Sequence, residues 1–137
     1  IAPALWRGLP ADLCGKWFES LFKRTPSIDN LYLQDIGGRC LVDFDVDLPN
    51  WYAEIKKACD ATNVKFGVDI ESFKSCWCPN VDYKAKDWSE LKDQLMVAGL
   101  FTKYITNFSW ATFKKGTNNY DGYKAYLKEN NLLPKGK

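Results

Sequence analysis

Strand-like and helix-like stretches alternate four times along these 137 residues, and that order restricts the fold more than any single motif does. Each helix returns the chain to begin the next strand in the same direction. The expected fold class is therefore α/β, with four βα units, parallel strands and right-handed crossovers. The first strand is entered midway at Ile1-Ala2-Pro3-Ala4-Leu5, and Leu13, Trp17, Leu21 and Phe22 then recur at helical spacing between Ala11 and Lys23. Thr25-Pro26 stops that helix, because proline disfavours helical geometry in the residue before it. A second strand runs from Ile28 to Asp35, and a long connection from Arg39 to Pro49 leads to a helix from Trp51 to Thr62, capped by Asn50 and closed by Asn63.

The third strand, Val64 to Phe73, is the clearest: Phe66, Val68 and Ile70 alternate with Gly67, Asp69 and Glu71. One face suits packing under helices, and the other ends in carboxylates. A loop from Lys74 to Lys86 follows, then a helix opened by Asp87 and Glu90 at capping-box spacing, with Leu91, Leu95, Met96 and Ala98 on its expected buried face. The last strand is Lys103 to Trp110 and the last helix Tyr120 to Asn131, giving a domain over 1–132 and a tail over 133–137. Four βα units make half of an eight-unit barrel. A free-standing sheet of four strands would leave two open edges, a hazard for aggregation.

Composition narrows the partners. A net charge of +2, with acids and lysines interspersed, forms no basic stripe, so nucleic acid is not an expected partner. No apolar run approaches the ~18 residues of a membrane span, and no signal peptide is visible. The absence of an initiator Met fits either a removed targeting segment or, as the expectation favoured here, part of a longer polypeptide. Aromatic residues reach 15%, with six Trp and seven Tyr; some must be core, because large rings dominate burial, but several fall just after expected strands and need another explanation.

In order along the chain, Leu33-Gln34-Asp35-Ile36-Gly37, the Trp51 to Cys59 helix, Gly67 to Phe73 with its Glu-Ser-Phe ending, and Asp93-Gln94-Leu95 resemble the C-terminal half of a family of secreted bacterial TIM-barrel proteins, a domain of unknown function similar to glycoside hydrolases. The departure is Ile36, where that family's pattern has Gly after Gln-Asp. The resemblance implies a carbohydrate ligand, a secreted or periplasmic location, and a partner that supplies the missing N-terminal half of the barrel or a second copy of the chain.

Ligands of parallel α/β folds bind where the strands end. Glycoside hydrolysis needs two carboxyl groups, ~5–5.5 Å apart for retention and ~6.5–9.5 Å for inversion. Glu71 is the candidate nucleophile or base, and Asp35 the available partner, although alternation with Leu31 and Leu33 turns Asp35 away from the barrel interior. The structural alternative makes Asp69 a turn cap and Glu71 a solvated acid. Gln34, Asp69, Asn107 and Arg7 are candidate ligands for sugar hydroxyls, with Trp6, Trp77 and Trp110 as indoles for the apolar faces of sugar rings. The competing reading is that these rings merely plug the barrel mouth.

Of five cysteines, Cys14 and Cys59 fall on helices as core thiols, while Cys40 and either Cys76 or Cys78 sit where a disulfide would form in an exported chain. No metal is expected: His is absent, C-x-C lacks the usual zinc spacer, and the Asp43, Asp45, Asp47, Glu54 series has Leu48 where a calcium loop needs Gly. No cofactor motif is present. Two other readings remain open, a glycan-binding module without turnover and a structural α/β domain.

Overall fold

The computed structural model describes residues 9–35, 47–74, 84–108 and 110–132. Their elements are α1 (Ala11–Arg24), β1 (Asn30–Gln34), α2 (Asp47–Ala61), β2 (Lys65–Glu71), β3 (Phe73–Lys74), β4 (Lys84–Ala85), α3 (Trp88–Gly99), β5 (Ile105–Phe108) and α4 (Asn118–Glu129). β1, β2 and β5 form one sheet with β2 in the middle, and both pairings are parallel. The parallel α/β expectation holds for these three strands. The expected first strand at Ile1 to Leu5 lies outside the described residues.

Alternation divides the sheet into two unlike faces. Leu31 and Leu33 pair in register with Phe66 and Val68, and with Ile70 they are buried against helices. The core is completed by Cys14, Phe18 and Phe22 of α1, by Leu48, Tyr52, Ile55, Ala58 and Cys59 of α2, and by Leu91 and Ala98 of α3. On the opposite face the register sets Tyr32 beside Gly67, Gln34 beside Asp69, and Asp69 beside Thr106. A Cβ on Gly67 would lie 2.6 Å from the Tyr32 ring, so that ring fills the space glycine leaves.

Four sequence expectations change. The stretch from 64 to 73 is two strands: β2 ends at Glu71, and Phe73–Lys74 pairs antiparallel with Lys84–Ala85. The two ends of the expected loop thus pair as two antiparallel rungs. On α1 the buried residues are Cys14, Gly15, Phe18 and Phe22, whereas Leu13 and Trp17 are exposed. The apolar face is rotated by one position because α2 closes on Gly15, where a Cβ would come 2.8 Å from the Glu54 carbonyl oxygen. α2 begins at Asp47, with Pro49 in its first turn, where a missing N–H costs no helical hydrogen bond. In α3 Met96 is exposed, and Gln94 takes the buried place.

Other readings hold. Asn63 has φ 58°, the left-handed conformation that ends α2. The Asp87 N–H donates to Glu90 at 3.1 Å at the start of α3.

Cys14 and Cys59 are free and buried, as expected of core thiols. Burial pushes Cys14 up to about 11 from the ordinary 9.0 and Cys59 up to about 12. The native thiols keep protons that unfolded thiols release, so stability is full below pH ~9 and falls as pH rises through ~9 to ~12. Burial raises the Tyr52 phenol in the same sense. Urea unfolding is expected to give a lower midpoint at pH 10.5 than at pH 8, by about 1–2 kcal/mol per thiol, and Cys59→Ala is expected to shrink that difference.

Candidate functional site

Glu71 is the last residue of the central strand and, though charged, is only 2% exposed. Gln34 Nε2 donates to its Oε1 at 2.7 Å from the neighbouring strand. Gln34 stands beside Asp69 in register, and Asp69 Oδ1 accepts the Thr106 hydroxyl at 2.8 Å. Gln34, Asp69 and Glu71 therefore share one face at the C-terminal ends of parallel strands. The two-residue alternation that separates Gln34 from Leu31 and Leu33 agrees with this register.

Asp35 takes another direction. It is completely buried; its Oδ1 accepts the Glu71 backbone N–H at 3.1 Å, and its Oδ2 accepts Gln94 Nε2 of α3. Gln94 Oε1 in turn accepts Lys86 Nζ at 2.6 Å. A carboxylate and an ammonium, both out of water, are thus joined by an amide that donates to one and accepts from the other. This chain fixes the backbone from which Glu71 projects. Asp35 sits with the packing that supports Glu71, not opposite it.

Ser72 makes the next junction. Its hydroxyl donates to Asn107 Oδ1 at 2.9 Å and lies 3.1 Å from the Thr112 hydroxyl. Its carbonyl accepts the Lys86 N–H at 3.0 Å and Asn119 Nδ2 at 3.1 Å. Asn119, a loop residue by its sequence neighbours, lies in the first turn of α4 and is fully buried. Asn107 stands in register with Ile70, on the helix-facing side, and is not brought together with Gln34 and Asp69. Trp110 opens a short 3-10 turn, Trp110–Thr112. Trp6, Arg7, Trp77, Cys40, Cys76, Cys78, Asp43 and Asp45 lie outside the described residues.

Sequence patterning singles out neither Lys86 nor Asn119, and Gln94 enters it only within the Asp93-Gln94-Leu95 stretch of the resemblance. Gln94 carried a signal, since it lies three residues after Leu91 and four before Ala98, inside the buried period of α3. Among the described residues no group of three or more Cys, Asp or Glu is placed to hold a metal ion. No described helix is long and apolar enough to cross a membrane.

Tyr52 carries the one buried side-chain polar atom without a hydrogen-bond partner among the described residues, its hydroxyl. The Asp35 charge acts on that phenol. An unsatisfied buried hydroxyl costs about 1–3 kcal/mol. Tyr52→Phe is accordingly expected to stabilise the fold by about 1–2 kcal/mol in urea unfolding; a loss of stability would show that the hydroxyl has a partner.

No protein-family model matches the chain, and no curated protein matches it. The expected domain-of-unknown-function family therefore has no matching model behind it. Among solved structures, the chain is similar to one from Bacteroides thetaiotaomicron VPI-5482 named as a putative alpha-L-fucosidase, with a TM-score of 0.69 at 16% identity. The match covers 91% of this chain and 39% of that one. The likeness is one of fold over the matched part, and the chain spans well under half of the protein it matches.

Proposed function

We propose that this chain forms part of a glycoside-hydrolase-like barrel that acts on carbohydrate at the C-terminal ends of its strands, with Glu71 as nucleophile or base. The observation that carries this reading is the placement of Glu71: a buried carboxylate at the end of the central parallel strand, oriented by the Gln34 amide at 2.7 Å and flanked on the same face by Asp69. A catalytic carboxylate must be held in one orientation with few competing waters. Gln34 and Asp69 bind hydroxyls of the sugar. Asp35 acts as a positioning residue through the Glu71 backbone, and the second catalytic carboxyl comes from elsewhere in the completed barrel.

A second reading, a glycan-binding module without turnover, draws support from the same geometry, because both Asp35 oxygens are already engaged by Glu71 N–H and Gln94. Trp77 and Trp110 are the indoles proposed to stack on sugar rings in either case. The bacterial, secreted or periplasmic setting belongs to this proposal as well.

Calorimetric titration with neutral oligosaccharides tests the location of the site. Asp69→Asn is expected to weaken binding about tenfold, the worth of one charge-assisted hydrogen bond, while Asn107→Ala leaves it unchanged. Equal losses from the two variants, or no binding by the wild type, would count against this face.

A further inference from the structure

The helix-facing side of β5 carries a second concavity. Ile105 and Asn107 stand in register with Val68 and Ile70, so strand alternation sets both on the side away from Gln34, Asp69 and Glu71. There a cleft of about 330 Å³ opens between α3, β5 and α4. Ile70 and Leu91 line it from behind, almost out of water, with Leu95, Ile105 and Phe113 half-buried in front of them. Its aromatic wall is built by packing within the chain. The Phe113 ring lies 5.4 Å from Tyr120 and 5.7 Å from Tyr123, and Trp88 meets Tyr123 at 6.0 Å.

The polar groups around this floor are of one kind. Lys103, Asn107 and Tyr123 line the cleft, each with a proton to donate, and no Asp or Glu is among its lining residues. The Lys103 ammonium lies 5.5 Å from the Tyr104 ring centroid and has no carboxylate partner among the described residues. Asp60, which shares a neighbouring hollow with Lys103, is already paired with Lys56 at 2.6 Å. Asn107 uses its Oδ1 to accept the Ser72 hydroxyl at 2.9 Å, so what it has left to offer is the Nδ2 donor. Thr106, the remaining polar neighbour, gives its hydroxyl to Asp69 at 2.8 Å.

We propose that this cleft binds a small carboxylic acid with an apolar body, its carboxylate at Lys103 and its body on Leu95, Ile105 and Phe113. An apolar floor bordered by one cation and two neutral donors complements an anion that is otherwise hydrophobic. A neutral sugar would set hydroxyls against aliphatic side chains and leave the ammonium unmatched, and a bare anion would gain nothing from the floor. The volume stands at the low end of the ~300–1,000 Å³ usual for ligand pockets, which limits the acid to a short chain or a single ring. The cleft lies on the opposite side of the sheet from Glu71, and the inference does not rest on the carbohydrate reading.

An NMR titration of the 137-residue chain with octanoate, and separately with phenylpropanoate, tests it. At least one acid is expected to shift the amides of Leu95, Ile105 and Asn107 to saturation with a Kd of about 1 mM or tighter. Tighter octanoate points to an aliphatic ligand, and tighter phenylpropanoate to an aromatic one. Lys103→Glu is expected to raise that Kd about tenfold, the worth of one charge-assisted contact. Lys92→Glu, exposed on α3 outside the cleft, leaves it unchanged. Acetate, which has the charge without the body, is expected not to saturate. Failure of both acids to saturate at about 10 mM would overturn the inference. So would equal binding of octyl alcohol, or equal losses from the two lysine variants.

Discussion

Glu71→Gln is expected to lower glycosidase turnover about a hundred- to ten-thousandfold, the range lost when a positioned acid–base group is removed, while the dissociation constant for the sugar changes by less than about threefold. The amide keeps the size of the carboxylate and still offers an oxygen to Gln34 Nε2, now 2.7 Å from Glu71 Oε1. What disappears is the charge and the ability to take a proton or form a bond to carbon. A loss in turnover alone separates catalysis from binding. If the wild-type chain, joined with the remainder of its barrel, binds oligosaccharide but cleaves none, and Glu71→Gln binds equally well, the module without turnover is the correct reading.

Asp35→Ala is expected to cost about 3–5 kcal/mol in urea unfolding, the loss typical when one partner leaves a buried charged network. The change removes the acceptor for the Glu71 N–H at 3.1 Å and for Gln94 Nε2. Gln94 also holds the buried Lys86 ammonium at 2.6 Å, so the disturbance reaches the start of α3. Asp35→Asn, which keeps one acceptor oxygen and the shape, is expected to cost about half as much. A loss under about 1 kcal/mol for Asp35→Ala would mean that the polar chain is not what holds the strand ends together.

The parallel sheet was legible because Phe66, Val68 and Ile70 alternate so regularly with Gly67, Asp69 and Glu71. The position of Gln34 beside them followed from the same two-residue period. Hydrophobicity alone puts Leu13 and Trp17 on the buried face of α1 because both are more apolar than Gly15. Burial there is decided by the close approach of α2, which demands a small residue and so hides its signal in a hydrophobicity pattern. The Asp35–Gln94–Lys86 chain was illegible for a different reason. Its members are 59 and 8 residues apart, and a polar residue in the buried period of a helix shows its partner only once the sheet has placed it. Asn119 belongs with it: as Asn118-Asn119 it reads as a turn, yet its amide closes on Ser72 and Thr112.

The most direct measurement is a crystal structure of Glu71→Gln with an oligosaccharide bound. A sugar ring is expected over the Gln34, Asp69 and residue 71 face, its anomeric carbon about 3–3.5 Å from the residue 71 side chain, the separation of a near-attack geometry. A sugar seated away from that face, or one whose anomeric carbon is out of reach of residue 71, would contradict it.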